Sequence, residues 1–400
     1  MTHLKKTISI LLLLLLLSQC STYSKIERTN NSNKISSNYF SKTTKGEDVI
    51  LFTLKNSKGM EVQILNLGAA IKTIKAPDRK GHFTDIVLGF DNIQGYEKNS
   101  SVGAFIGRYA NRISDAQFEI DGKKYYLAKN WKKKGGSKWH TIHGGEKRFS
   151  NSIWEASSFE NDENPSVKLK IISHDGDQGF PGELTCEVTY TLTEDNTLIL
   201  NVEAKSTKDT HINFTQHSYF NLQGHGSENI LDHKVKISAD TFAETNEELI
   251  PSGKITSVKR TPFDFLTFHF IGERINDSTF LPLAYANGYD HYFFLTEKDP
   301  EKLKLAAEVL DEKSGRMLAV FTTEPGLQFF TANNFSNIQG KEGALYNKHA
   351  GFCLETQHAP DSPNRPEFPS TLLKKENTYR SKTVYVFKTD AVKNDQNNPH

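Results

Sequence analysis

Residues 184–203 of the chain read LTCEVTYTLTEDNTLILNVE. Apolar side chains occupy every second position from Leu184 to Leu192 and again from Leu198 to Val202, with Glu194-Asp195-Asn196 between the two runs. Side chains alternate between the two faces of a strand, and acidic and amide residues favour turns. The segment therefore predicts an antiparallel hairpin in which each strand has one buried face.

The same two-residue period continues on both sides of this hairpin. It recurs at 167–171, at 303–310 with 317–321, and at 384–386, and Asp121-Gly122 in segment 118–125 is a hairpin turn signal. A sustained 3.6-residue apolar period and a strand–helix alternation are both absent from the sequence. We therefore predict an all-β fold, a large antiparallel β-sandwich formed by one domain over residues 46–390.

Composition excludes several classes of protein. The 400 residues include 49 Lys and Arg against 48 Asp and Glu, a net charge of +1, which argues against nucleic-acid binding. Cys20, Cys186 and Cys353 are the 3 cysteines, too few and too far apart for a disulfide scaffold or a structural zinc site. Motifs of serine hydrolases, dinucleotide-binding folds and P-loops are also missing from the sequence.

The amino terminus has the pattern of a targeting segment. Lys5 and Lys6 precede an apolar run from Ile8 to Leu17, which is too short to span a bilayer but fits a signal peptide over residues 1–20. Its end, Leu17-Ser18-Gln19-Cys20, resembles a bacterial lipoprotein signal, which predicts lipidation of Cys20. Gln19 departs from that pattern, so ordinary secretory cleavage stays open. Either reading predicts export to the periplasm or cell envelope.

Polar stretches flank the predicted domain. Residues 21–45 are rich in Ser, Asn, Thr and Lys, which predicts a flexible tether, and residues 391–400 form a polar tail. The only membrane association that the sequence predicts is through the lipid at Cys20.

Two segments combine an acid–base side chain with apolar neighbours. His217 and Tyr219 share one face of segment 213–222 if it is a strand, and Phe214 and Phe220 share the other. The polar face predicts the floor of a cleft. Glu355 follows the apolar residues Phe352 to Leu354, so burial would raise its pKa and suit it to act as a base. A solvent-facing Glu on an edge strand is the alternative.

The remaining histidines allow less specific interpretations. His143 could pack in the core or cap a local turn rather than contribute to a site. His140 and His143 lie on opposite faces if the segment is extended, and no helical His pair occurs in the sequence. We predict no metal site.

Several segments together, in order along the predicted domain, resemble the aldose 1-epimerase (galactose mutarotase) family. They are NLGA (66–69), PDRKG (77–81), DIVLGF (85–90), GRYANRI (107–113), HGG (143–145), DGDQGFPG (175–182), HSYFNL (217–222), IPSG (250–253), TPFDF (261–265), GYDH (288–291), EPGLQ (324–328) and LETQ (354–357). The resemblance implies a β-sandwich with an open sugar cleft, and an enzyme that interconverts the α and β anomers of free aldohexoses such as galactose and glucose without a cofactor.

The resemblance also implies site residues. Glu355 would be the general base that takes the proton of the anomeric hydroxyl, and His217 the general acid that protonates the ring oxygen. The pair would start as carboxylate and imidazolium, which predicts a bell-shaped pH profile. The residues that hold the sugar hydroxyls would be Asn111, Arg112, His143, Tyr219, Asp290 and Gln328.

Two alternatives for the function stay open. One is an epimerase of hexose 6-phosphates with the same fold, which would need cationic side chains in the cleft. The other is a sugar-binding protein without catalysis, which would not need both Glu355 and His217. Segment 131–139 contains Lys132, Lys133, Lys134 and Lys138. It is either a solvated surface loop or a basic rim that favours an anionic sugar.

Overall fold

The computed structural model describes residues 34–390. The predicted signal peptide with Cys20, the tether as far as residue 33 and the polar tail lie outside the described residues.

Strands dominate the described residues. In chain order they are β1 Ile35–Lys42, β2 Asp48–Lys55, β3 Glu61–Leu65, β4 Ile71–Pro77, β5 Phe83–Asp85, β6 Phe105–Ile106, β7 Arg112–Ile113, β8 Gln117–Ile120, β9 Lys123–Tyr126, β10 Thr141–Ile142, β11 Glu155–Asn161, β12 Asn164–Ser173, β13 Leu184–Leu192, β14 Thr197–Ser206, β15 Thr210–His211, β16 Thr215–Gln216, β17 Lys234–Ile237, β18 Ala239–Thr245, β19 Pro251–Ser257, β20 His269–Phe270, β21 Asp290–Leu295, β22 Lys304–Leu310, β23 Arg316–Thr322, β24 Gly326–Phe330, β25 Ile338–Gln339, β26 Leu345–Tyr346, β27 Cys353–Gln357, β28 Leu372–Leu373 and β29 Tyr379–Thr389.

Helices are short in this part of the chain. The α-helices are α1 Ile93–Lys98 and α2 Leu281–Ala286. The 3₁₀ turns are Ser114–Ala116, Phe149–Asn151, Asp177–Gly179, Ile271–Glu273, Lys341–Gly343 and Ser362–Asn364. Neither α-helix of residues 34–390 has the length and apolar character that crossing a membrane requires. The all-β prediction is confirmed.

The hairpin predicted for residues 184–203 lies near the middle of the largest sheet. That sheet has nine strands in the order β11-β12-β13-β14-β29-β23-β22-β17-β20. Strand β13 pairs antiparallel with β14 from Leu184 opposite Ser206 to Leu192 opposite Leu198. Leu184, Cys186 and Val188 are fully buried and the residues between them are partly exposed, as the two-residue period predicts.

Two five-stranded sheets complete the architecture. One follows the chain as β1-β2-β3-β4-β5, and the other has the order β19-β18-β21-β24-β27. One hydrophobic core joins all three sheets, and it includes Val62 of β3, Val188 of β13 and Phe293 of β21. Three sheets that cover a shared apolar core form the predicted sandwich.

The predicted tether is wrong for residues 35–42, which form β1. This strand pairs with β2 from Ile35 opposite Leu54 to Lys42 opposite Asp48, with an irregularity after Tyr39. Most of its side chains are exposed, and none is fully buried. An edge strand needs backbone pairing more than apolar side chains, so its sequence resembles a linker.

Segment 213–222 is also not the long central strand that its alternation suggested. Only Thr215 and Gln216 form a strand, β16, which pairs with the two-residue strand β6. Beyond it, Phe220 makes single bridges to Val87 and Phe352. The predicted burial of the apolar face is still observed, because Phe214 and Phe220 lie in the core that joins the sheets.

Strand β1 yields a stability prediction. A variant that begins at residue 46 should melt lower than one that begins at residue 34, by on the order of 5 °C, because it lacks the hydrogen bonds of β1 to β2. Differential scanning calorimetry of the two truncated proteins measures the difference. Equal melting temperatures would show that β1 does not contribute to the folded domain.

Candidate active site

His217 and Glu355 face each other in a buried cleft. His217 follows β16, and Glu355 is the central residue of β27. The distance between His217 Nε2 and Glu355 Oε1 is 3.5 Å, and the residues are 4% and 2% exposed. Strand β27 is the outer strand of its sheet, yet the Glu355 side chain points into protein and not into solvent. The predicted poor hydration of Glu355 is confirmed.

The imidazole of His217 is held on several sides. Its Nδ1 lies 3.4 Å from Cys353 Sγ, two residues before Glu355 on the same face of β27. The Tyr219 ring stacks on it with centroids 5.0 Å apart, and the His143 ring meets it edge-on at 5.4 Å. These contacts fix the ring plane, so Nε2 stays directed at the carboxyl group.

A second polar cluster surrounds Asp290 at the start of β21. Arg112 Nη2 donates to Asp290 Oδ2 at 3.0 Å, and Gln328 Nε2 donates to Asp290 Oδ1 at 2.6 Å. Arg112 Nη1 also donates to Asn111 Oδ1 at 3.3 Å, and the guanidinium lies over the Trp131 ring at 4.6 Å. Each carboxylate oxygen of Asp290 therefore has a fixed donor.

His143 joins this cluster to the acid–base pair. Its Nδ1 accepts the backbone N–H of Asn111 at 3.2 Å, so the neutral ring carries its proton on Nε2. Asn111 and His143 both have left-handed backbone, with φ of 64° and 53°. The backbones approach closely here, because a Cβ on Gly144 would lie 2.4 Å from Gly107 O. His143 thus both binds backbone and lines the cleft.

Burial sets the protonation of the pair. Burial raises the pKa of Glu355 well above its usual range, and the negative charge of Asp290 raises it further. Burial lowers the pKa of His217 to about 4. Burial would also raise the pKa of Asp290, but Arg112, His291 and Gln328 outweigh it and hold that pKa low. These shifts favour an ionised Asp290 and the neutral forms of His217 and Glu355 in the free enzyme.

This protonation of the pair differs from the carboxylate and imidazolium that the resemblance implied. A carboxylate and an imidazolium would both be desolvated, and the positive Arg148 opposes the imidazolium. The proton therefore rests on Glu355 while the cleft is empty. Glu355 Oε2 is buried and has no hydrogen-bond partner within residues 34–390, so it is free to interact with a ligand.

The cleft has a volume of about 590 Å³, in the range of small-molecule sites. Of the predicted residues, those that line it are Asn111, Arg112, His143, His217, Tyr219, Asp290 and Glu355. Gln328 does not line the cleft and acts on it only through Asp290.

Among the cleft residues that sequence reasoning did not assign to the site are Trp131 and Arg148. Trp131 supports the Arg112 guanidinium, and Arg148 approaches from the turn that follows His143. Arg148 is five residues from His143, which is the only sequence signal that could have found it. Lys132, Lys133 and Lys134 also line the cleft, so segment 131–139 is a basic rim rather than a remote surface loop.

His217, Cys353 and Glu355 are also a possible set of metal ligands, with ligand atoms within 4.8 Å of one another. The thiol lies at Nδ1 of the imidazole, whereas the carboxyl group lies at Nε2. These nitrogens point to opposite sides of the ring, and one ion can bind only one of them. The observed arrangement therefore suits proton transfer better than coordination.

Comparison with known proteins places this site in a family. The family model described as aldose 1-epimerase matches residues 51–386. The chain is 41% identical over 333 residues to the galactose mutarotase of Bos taurus, which covers 83% of this chain and 92% of the relative. It is 34% identical over 346 residues to the aldose 1-epimerase of Escherichia coli K12, with 86% and 96% covered.

Solved structures show the same fold. The galactose 1-epimerase of Lactobacillus acidophilus superposes with a TM-score of 0.76 at 25% identity, covering 89% of this chain and 99% of that one. An aldose epimerase homologue from C. elegans gives a TM-score of 0.75 at 29% identity, with 85% and 98% covered.

The fold and the cleft are thus those of a sugar isomerase that uses acid–base chemistry. The chain belongs to the aldose 1-epimerase family, whose enzymes interconvert the α and β anomers of aldoses.

The shared proton predicts the pH dependence of the rate. Activity requires one proton on the pair, so kcat/KM should fall below the pKa of His217, about 4, as a second proton binds. It should fall again at high pH, where Glu355 with its raised pKa gives up the last proton. Rates of anomer interconversion measured across pH in a constant-ionic-strength buffer test this.

The variant Asp290→Asn makes the test more specific. Removing this negative charge lowers the pKa of Glu355, so the alkaline limb should move to lower pH. The exposed Asp240→Asn is the matched control and should leave the limb where it is. An unmoved alkaline limb in Asp290→Asn would contradict the assignment of that limb to the pair.

Proposed function

We propose that the enzyme interconverts the anomers of free galactose and glucose, with Glu355 as general base and His217 as general acid. The observation that carries the proposal is the buried pair, with 3.5 Å between His217 Nε2 and Glu355 Oε1 and an unpartnered Glu355 Oε2. Galactose is suggested by the names of the relatives at about 40% identity. Glucose differs from galactose at only one hydroxyl, so we include it.

Binding of the sugar would charge the pair. When the anomeric hydroxyl donates to Glu355 Oε2, it stabilises the carboxylate and lowers the pKa of Glu355. The proton of the pair can then move to His217 Nε2, across the 3.5 Å that separates it from Glu355 Oε1. The charged state that the chemistry needs thus forms only with substrate in the cleft.

Ring opening then needs two proton transfers. Glu355 takes the proton of the anomeric hydroxyl, the bond from C1 to the ring oxygen breaks, and His217 gives its proton to that oxygen. The aldehyde rotates about the C1–C2 bond, and closure on the other face reverses both transfers. Such assistance is worth on the order of 10²–10⁴ in rate.

The other residues of the cleft would hold the hydroxyls. Asp290 accepts sugar hydroxyls with oxygens that Arg112 and Gln328 keep in place. His143 donates from Nε2, because its Nδ1 already accepts from Asn111. Tyr219 keeps its phenol neutral, since burial raises its pKa well above the usual range, and its ring supports His217.

The catalytic roles are testable by polarimetry of freshly dissolved α-D-galactose and α-D-glucose. Glu355→Gln and His217→Asn should each slow the enzymatic approach to equilibrium rotation by on the order of 10²–10⁴. Glu376→Gln, an exposed change of the same kind, is the control and should match wild type. Variants of the pair with near wild-type rates would refute these roles.

We also propose that the protein is exported and anchored by a lipid on Cys20. The support is the sequence pattern of residues 5–20, with the basic pair followed by the apolar run and Leu17-Ser18-Gln19-Cys20. The anchor would keep the enzyme at the cell envelope, where free sugars enter.

Fatty-acid labelling of cells that express the full chain tests the anchor. The label should appear on the wild-type protein and disappear in Cys20→Ala, with the protein still exported or retained as a precursor. Unlabelled wild type at normal expression would leave ordinary secretory cleavage as the explanation of the amino terminus.

A further inference from the structure

Arg148 is a half-buried cation without an acidic partner. Its Nη2 donates to the hydroxyl of Ser100 at 3.1 Å, and its Nε is buried with no hydrogen-bond partner within residues 34–390. Among the ion pairs of that part of the chain, none includes Arg148, whereas Arg112 in the same cleft is paired with Asp290. Arg148 therefore places in the cleft a positive charge that no acidic side chain of residues 34–390 neutralises, and an anionic ligand can neutralise it.

The carboxyl groups of the cleft cannot serve as that anion. Both oxygens of Asp290 are engaged by Arg112 and Gln328. Burial raises the pKa of Glu355 and so disfavours its carboxylate. Arg148 instead lies on the side of the histidines, where its positive charge contributes to lowering the pKa of His143 and His217.

More positive charge lines the mouth of the cleft. Lys98, Lys132 and Lys134 are exposed, line the cleft, and form no ion pair within the described residues. Lys133 differs, because it donates to the backbone carbonyls of Glu247 and Tyr285. A cleft with one sign of charge at its mouth raises the local concentration of ligands of the opposite sign.

We propose that the preferred substrates of this cleft are acidic aldoses, namely hexuronic acids, and that Arg148 binds their carboxylate. This inference rests on the proposed function and specifies its substrate class. A guanidinium presents two parallel N–H donors that match a carboxylate. A phosphate dianion would call for a second buried cation beside Arg148, but the three unpaired lysines of the rim are exposed.

An acidic substrate would also assist the chemistry. The charge of Arg148 opposes an imidazolium at His217 while the cleft is empty. A carboxylate bound to Arg148 neutralises that charge, so His217 accepts the proton of the pair more readily. The substrate thus reduces one of the contributions that oppose an imidazolium at His217, although burial remains the largest, and the proton count of the reaction is unchanged.

The test compares galactose with galacturonic acid at neutral pH, using anomer interconversion followed by polarimetry or NMR. Wild type should have the higher kcat/KM on galacturonic acid, and this preference should weaken as salt is added. Arg148→Gln should lower the ratio of acidic to neutral kcat/KM by about 10- to 100-fold, as expected for a charged hydrogen bond. Lys147→Gln, an exposed neighbour with the same charge change, should leave the ratio unchanged.

Arg148→Lys keeps the charge and separates binding from folding. It should retain part of the preference, and a melting temperature near wild type for each variant shows that the fold is intact.

Activity on galactose with no preference for galacturonic acid, or a ratio unaffected by Arg148→Gln, would overturn the inference and leave the proposed function standing. A preference for galactose 6-phosphate over galacturonic acid would also overturn it. Activity on no sugar would refute the proposed function itself.

Discussion

The site depends on the burial of one acid and one base within 3.5 Å of each other. Burial favours the neutral forms of Glu355 and His217, so it favours a pair that shares a single proton. A pair of this kind can give a proton and take one without exchange with water. The sandwich provides the dry surroundings, because β27 and the segment after β16 both lie against the core.

The two carboxyl groups of the cleft have opposite protonation for a structural reason. The Asp290 side chain is also largely removed from solvent, but Arg112 and Gln328 donate to it and hold its pKa low. Glu355 lacks such donors, and the charge on Asp290 makes its ionisation still less favourable. Asp290 can therefore serve as a binding carboxylate, whereas Glu355 can gain and lose a proton. The difference lies in their hydrogen-bond partners and not in residue type.

The sequence predicted the fold where strands are half-buried. The hairpin of β13 and β14 and the Asp121-Gly122 turn between β8 and β9 form as expected, because alternation and turn chemistry are local signals. Strand β1 was not predicted, because an exposed edge strand does not need alternating apolar side chains. Segment 213–222 alternates for another reason, since its apolar side chains enter the core from irregular backbone.

The site was predictable by resemblance, but its electrostatics were not. The motifs that contain His217, Asp290 and Glu355 identified residues that lie in one cleft of the structure. The location of the proton depends on burial first, and on the charges of Asp290 and Arg148, which are properties of the folded chain. Arg148 itself is a single basic residue in a turn, and what distinguishes it is its position in the cleft without an acidic partner among residues 34–390.

The most direct test of the shared proton is ¹⁵N NMR of histidine-labelled protein, with His217→Asn used to assign the signal. In the empty enzyme His217 should stay neutral as the pH falls from 8 to 5, and titrate only near its pKa of about 4. Saturating galactose or galacturonic acid should shift it toward the imidazolium at neutral pH. Titration of the empty enzyme near pH 6.5, with no effect of sugar, would show a solvated histidine that shares no proton with Glu355, and would contradict the account.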